Sequence, residues 1–485
     1  MATEELPLIN ICIIGHVDSG KSTLCGNLAT KWGGFDARTQ EKLAKVAEGY
    51  SKSSFTLAYF TDKTEQERKR GVTINTTLVQ MRTKKFRINF LDCPGHADYL
   101  KNATSGCKQA DLSVVVVPAD FQASCSVDGT LKTHLTLAAI LGSKNFIVCI
   151  NKLDEVAAKN KSDMKTTFDA ASAAVEKLLK KLGVKMETTF FLPISALHGI
   201  GLFDDNNRFD FFEGIVPAVP KPGVEKVMCL EDAINYQDIP SRPVDKALRM
   251  AISSIAHVPG QGIIFCGRVD YGVIRRNDAI KFLPLGILGN VKNIQAHKAD
   301  VEAGESGMNI GFNAYFKDKG GSEKKIEAGH MIGPADDASF QIYPFYMGVC
   351  VSLKGKAKAG QAEKGIKNGY SPVVSCGSSN VATKFVKIIS TIKDKVEIEN
   401  PAIVGKDQRF TVLLYPSKLV LFENFKNFPA LGKFVCRDSG HLVAVGQITD
   451  CVTEERAIKE FGVNMDDVKG LKPVATSDKK AKKSK

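Results

Sequence analysis

Gly15-His16-Val17-Asp18-Ser19-Gly20-Lys21-Ser22-Thr23 fits the spacing G-x-x-x-x-G-K-[ST], and the rest of the chain is read outward from it. It follows an apolar run, Ile9–Ile14, that predicts a buried strand, and precedes Leu24–Lys31, which predicts the body of a helix. Between strand and helix, the loop's backbone N–H groups point inward, backed by the helix dipole, and cradle phosphate oxygens. Lys21 then reaches the β- and γ-phosphates, Ser22 offers its hydroxyl to Mg²⁺, and Thr23 bonds the α-phosphate. The ligand class this predicts is a nucleoside triphosphate.

Four further stretches sharpen that reading. Asn151-Lys152-Leu153-Asp154 closes the apolar run Phe146–Ile150, so it stands at the carboxyl end of a predicted strand, where open parallel sheets bind their ligands. A carboxylate there accepts from N1–H and N2–H₂ of guanine. Adenine would leave it unpaired, and such sites discriminate by roughly 10⁴–10⁵. Asp92-Cys93-Pro94-Gly95-His96 ends the run Ile88–Leu91; Asp92 is placed to hold Mg²⁺ through a water, and the Gly95 N–H to sense the γ-phosphate. Thr73, in Arg70-Gly71-Val72-Thr73-Ile74, completes the Mg²⁺ shell only while the γ-phosphate is present, which is how loops are ordered and released in nucleotide switches. Ser195-Ala196-Leu197 follows Phe190–Ile194 and offers a backbone N–H to guanine O6. Each string is commonplace alone; in this order they predict one GTP/GDP site.

Composition fits a globular chain of about three domains. With 44% hydrophobic and 25% charged residues it reads as an ordinary soluble protein. No apolar run approaches the ~20 residues of a membrane helix, and Met1–Pro7 has no signal-peptide character. The 12 cysteines include no C-x-x-C pair; Cys12, Cys149, Cys266 and Cys350 lie inside apolar runs, predicting buried free thiols, no structural metal and a cytoplasmic setting. Of the net charge of +13, a large share comes from seven lysines against one aspartate between 469 and 485. The remaining excess suits a polyanionic partner whose binding weakens with salt.

The sequence changes character once. From Ile9 to Val219 strand-like runs alternate with amphipathic stretches such as Asp163–Gly183, where Phe168, Ala171, Val175, Leu178 and Leu179 mark one helical face. That alternation predicts an α/β domain with a mostly parallel sheet and helices on both faces. Beyond the Pro-rich segments Val216–Pro222 and Ile239–Pro243 the period becomes two, as in Met308, Ile310, Phe312, Ala314 and Phe316, or Phe345, Met347, Val349, Val351 and Leu353. Two β-barrels follow from this pattern, with their seam near Gly333–Ser339. The expected domains are 1–222, a linker 223–240, barrels 241–336 and 337–455, and a basic disordered tail 456–485.

These stretches together resemble the translational GTPases, and within them the eukaryotic-type elongation factor 1-alpha family. Glu65–Ile74, Gly95–Asn102, Gly267-Arg268-Val269 with Gly272, Asn368–Val374 and Gly432–Asp438 carry the likeness along with the P-loop and Asn151–Asp154, from about residue 8 to about 452. Departures stand at Cys93 and Ala97, which read more like bacterial elongation factor Tu, at Ala196-Leu197 in place of Gly-Trp, and at Ser254 in place of Asp. The resemblance implies a GTPase domain followed by two β-barrels, GTP hydrolysis with Mg²⁺, and monomeric delivery of aminoacyl-tRNA to the ribosome. It also implies an exchange factor, and activation by a loop of large-subunit ribosomal RNA. By the same resemblance His96 orients the attacking water, assisted by Lys21 and Thr73, while Val17 and Val72 form an apolar gate over it. Two alternatives share the plan: release or ribosome-rescue GTPases, which usually carry long segments ahead of the P-loop, and the GTPase subunit of sulfate-activating enzymes.

Overall fold

In the computed structural model of the 485-residue chain, the described residues are 6–33, 67, 73, 76–120, 129–143, 145–159, 164–260, 262–296, 299–316, 321–353, 365–377, 379–439 and 441–468. They fall into two compact units, Met1–Ser241 and Arg242–Lys485.

The first unit is built on strands β1 (Leu8–Gly15), β2 (Thr77–Arg82), β3 (Arg87–Asp92), β4 (Leu112–Pro118), β5 (Asn145–Asn151) and β6 (Phe190–Pro193). Their order is β2-β3-β1-β4-β5-β6, parallel throughout except for the antiparallel β2. Every residue of β4 is buried, as a parallel strand covered on both faces requires. Ile9, Ile11 and Ile13 face one layer, where they meet α1 (Lys21–Lys31). Cys12 faces the other, close to α2 (Leu100–Gln109) through Cys107. Helices α3 (Thr130–Leu141), α4 (Leu153–Lys159) and α5 (Met164–Lys181) complete the alternation.

The segment expected as a linker, 223–240, is instead part of this unit. Val227, Leu230, Ala233, Ile234 and Tyr236 join the core beneath β1, and residues 230–235 form α6 (Leu230–Asn235). Prolines marked the segment as a connection; the helical spacing of Leu230, Ala233 and Ile234 was the opposing signal.

The second unit holds two closed six-stranded barrels. In the first, β7 (Arg249–Val258), β8 (Gly262–Tyr271), β10 (Ala279–Leu283), β11 (Ile287–Ala296), β14 (Asn309–Phe316) and β15 (Met331–Pro334) close through the β10–β11 pairing. Short strands β9 (Val273–Arg275), β12 (Ala299–Val301) and β13 (Ala303–Glu305) are appended. Ile310 and Phe312 point into its core with Phe265 and Phe282. In the second, β16 (Phe345–Ser352), β17 (Val373–Cys376), β18 (Ser379–Lys393), β20 (Arg409–Pro416), β21 (Lys433–Asp438) and β22 (His441–Val452) close through β17–β18, with β19 (Val396–Glu399) added at the edge.

The apolar row beginning at Phe345 lies outside this barrel, since Tyr346 and Cys350 fill the interior. Phe345 is covered from outside by Ala457, Val463 and Val468. Residues 454–468, expected in part as disordered tail, therefore contain two helices, α7 (Glu454–Phe461) and α8 (Met465–Val468). A wholly buried Arg249 ties the barrels together, at 2.6 Å from Glu423 and 2.9 Å from Asp337, between the rings of Phe340 and Phe428.

Candidate nucleotide site

All four motif-bearing strands of the first unit end on one edge of the sheet. β1 runs into Gly15–Gly20, β3 ends at Asp92, β5 at Asn151, and β6 just before Ser195. Residues separated by more than a hundred positions meet there.

The loop after β1 turns through left-handed conformations at Asp18 (φ 59°) and Gly20 (φ 95°) before α1 begins at Lys21. A Cβ at Gly20 would lie 2.3 Å from Asn151 Nδ2, so the closeness of the loop to the end of β5 requires glycine. Lys21 is buried, and its Nζ donates to His16 O at 2.5 Å, holding the ammonium within the curve of the loop. Ser19 is buried, while Val17, Ser22 and Thr23 are half-buried and Asp18 is exposed.

Asn151 joins two motifs. Its Nδ2 donates to Ser19 O and its Oδ1 accepts from Ala196 N, both at 2.8 Å. Asn27, on the outer part of α1, adds a third tie by donating to Ala196 O at 3.0 Å. Lys152 takes a left-handed φ of 65°, which turns the chain into α4 with Asp154 half-buried in its first turn. Leu197 is half-buried beside Ser195 and Ala196.

On the other side of the loop, Ser22 Oγ and Thr73 Oγ1 stand 3.0 Å apart, two hydroxyls brought together across 51 residues. Asp92 is fully buried at the end of β3. Gly95 packs so closely on the loop that a Cβ would stand 2.6 Å from Lys21 Nζ and 3.0 Å from Gly15 O. His96 is half-exposed; its Nδ1 accepts from the Asp98 amide at 3.2 Å and lies 3.4 Å from Asp98 Oδ2. Both contacts use Nδ1 and leave Nε2 for water. Val72, the second gate residue expected from sequence, lies outside the described residues.

Three side chains at this site escaped the sequence reading. Asn27 is one. His134 on α3 is another: buried, with Nδ1 3.2 Å from Gly15 O. Burial and the charge of Lys21 push its pKa down to about 3, so it is a neutral ring in the folded protein. The third, His198, lies 3.6 Å from Asp154 Oδ2. Burial and Lys21 also lower the pKa of His16. The arrangement can seat a phosphate chain at the loop, a cation beside paired hydroxyls, and a purine edge at Asp154.

Residues 6–238 match the model of the elongation factor Tu GTP binding domain, and residues 360–449 match the GTP-eEF1A C-terminal domain-like family. The chain is 37% identical to elongation factor 1-alpha of Encephalitozoon cuniculi over 99% of its own length and 98% of that protein. It is 34% identical to the elongation factor 1-alpha of Saccharomyces cerevisiae over 94% and 97%. Among solved structures, the S. cerevisiae Ski7 GTPase-like domain, bound to GDP and inorganic phosphate, superimposes with a TM-score of 0.73 at 15% identity, covering 92% of this chain and 98% of that one. Bacterial selenocysteine-specific elongation factor EF-Sec gives 0.61 at 19%, covering 96% of this chain and 61% of that chain. These two share the fold. The chain is a GTPase and belongs to the elongation factor 1-alpha family.

Proposed function

We propose that this GTPase delivers aminoacyl-tRNA to the ribosomal A site during translation elongation, with hydrolysis stimulated by the ribosome. The observation that carries the reading is the end-to-end kinship: likeness to elongation factor 1-alpha spans 99% of the chain, so it includes both barrels as well as the GTPase unit.

In this reading the sequence motifs act as one site. Gly15 to Thr23 hold the phosphates, and Lys21 neutralises the β/γ oxygens. Asp154 reads the guanine edge, with Asn151, Lys152, Ser195, Ala196 and Leu197 around the base. The fit for Mg²⁺ rests on the Ser22 and Thr73 hydroxyls 3.0 Å apart, with the buried Asp92 as the acidic group that binds through water. Oxygen donors of this kind suit a hard divalent cation, which would supply charge neutralisation at the β- and γ-oxygens. Phosphoryl transfer to water asks the protein mostly for positioning. With Nδ1 engaged by the Asp98 amide, His96 presents Nε2–H and orients water as a donor. Thr73 and Gly95 hold their loops while the γ-phosphate is in place. Its loss relaxes them and releases the tRNA, and an exchange factor restores GTP. The tRNA and a loop of large-subunit ribosomal RNA are the partners, met by a cytoplasmic monomer.

The test is a pull-down of charged against uncharged tRNA with the protein in GTP or GDP. Preference for charged tRNA in GTP alone is expected. Equal capture in all four arms would overturn delivery and favour the sulfate-activation or release-type alternatives.

A further inference from the structure

His198 follows the fifth sequence element and is not used by the reading above. Its Nε2 lies 3.6 Å from Asp154 Oδ2, and it is the more open partner, with 58% of its side chain exposed against 23% for Asp154. Among the described residues no lysine or arginine pairs with this carboxylate; Lys152, two positions earlier, pairs with Glu155 at 3.9 Å.

The turn that carries His198 is closely fixed. Ser195 and Ile200 exchange backbone hydrogen bonds of 3.0 and 3.2 Å, and Ser195 Oγ accepts from the His198 amide at 3.3 Å. Ala196 is held on both sides, by Asn151 Oδ1 at its N–H and Asn27 Nδ2 at its carbonyl. The imidazole is thus delivered to Asp154 by backbone tied to the phosphate loop.

A carboxylate offers about four lone-pair sites on two oxygens. Guanine, donating through N1–H and N2–H₂, uses one site on each oxygen. The torsion that sets the plane of an aspartate carboxylate is otherwise soft. We infer that His198 is a positioning residue for guanine recognition: its Nε2, 3.6 Å from Asp154 Oδ2 and so just beyond hydrogen-bond distance, closes onto an outer lone pair of that oxygen when the base binds and fixes the carboxylate plane. The inference rests on Asp154 being the base reader. Without the histidine the carboxylate rocks and presents one well-aimed acceptor instead of two. A base with two donors then loses more than a base with one.

Inosine diphosphate lacks the 2-amino donor of guanosine diphosphate, so the two nucleotides form the probe pair. Affinities for both are measured on the full chain, its His198→Ala and His198→Gln variants, and Asp154→Asn. His198→Ala is expected to weaken guanosine diphosphate about three- to fivefold, the scale of one modest net hydrogen bond, and inosine diphosphate less, so their ratio narrows. His198→Gln keeps an N–H donor at similar reach and restores the ratio. Equal losses for both nucleotides, no loss, or failure of Gln to rescue would overturn the positioning role. The Asp154→Asn arm, tested with xanthosine diphosphate, separates the two claims. A gain for xanthosine diphosphate keeps Asp154 as base reader whatever His198 does. No gain removes that reading, and the inference with it.

Discussion

Asn151→Ala removes a side chain that is 2% exposed and makes two hydrogen bonds of 2.8 Å, to Ser19 O and from Ala196 N. Each buried group left unsatisfied costs about 1–3 kcal/mol, so the first unit should lose about 2–6 kcal/mol. In a unit of this size that lowers the melting temperature on the order of 10 °C. The same clamp ties the phosphate loop to the turn at Ala196, so affinity should fall with stability. At a GDP concentration a hundredfold above the parental Kd, ligand adds about 2.7 kcal/mol to the parent. A tenfold weaker variant gains only about 1.4 kcal/mol at the same concentration. Thermal unfolding with and without GDP reads both quantities. A variant melting within about 1 °C of the parent, with an undiminished GDP shift, would refute the clamp.

Other outcomes follow from the same geometry. Asp154→Asn should exchange guanine for xanthine preference, checked by competition binding; retained GTP affinity would remove Asp154 from base reading. His96→Ala should leave nucleotide binding intact while ribosome-stimulated hydrolysis falls about 10²–10³-fold, the scale of removing one preorganised hydrogen-bond donor, as single-turnover assays would show. Glu423→Ala removes one carboxylate partner of the fully buried Arg249, and breaking a buried pair costs about 3–5 kcal/mol; denaturant unfolding of the second unit should register it. The buried His134 has a pKa near 3 in the folded state against 6.5 in the unfolded chain, so unfolding takes up a proton between those values. Its contribution is fully present above pH 6.5 and fades as pH falls toward 3. His134→Gln should therefore flatten the acid limb of the stability curve, by up to about 1.4 kcal/mol per pH unit; parallel urea curves at pH 7 and pH 4.5 would contradict this.

How much of this could be read in the sequence depended on the range of the interactions. The strand ends carrying Gly15, Asp92, Asn151 and Ser195 were legible because apolar runs and glycine-containing loops declare themselves locally. Ser22 and Thr73, each expected from its motif as a ligand of one cation, stand 3.0 Å apart. His134 and Asn27 were invisible because they act on residues 119 and 169 positions away, and an isolated histidine or asparagine in a helix carries no periodic signal. Residues 223–240 read as a connection in sequence because flanking prolines outweigh one short helical triplet, Leu230, Ala233 and Ile234. The outer row at Phe345 shows why period-two alternation cannot tell a barrel's inside from an outside covered by later helices: both faces of β16 hold apolar residues.

The convergence of these strand ends on one guanine nucleotide is tested most directly by calorimetric titration of the purified chain with GDP and, in parallel, ADP, each with Mg²⁺. Saturable heat with GDP at one equivalent and none with ADP is the predicted result. Silence with GDP, or equal binding of ADP, would contradict it.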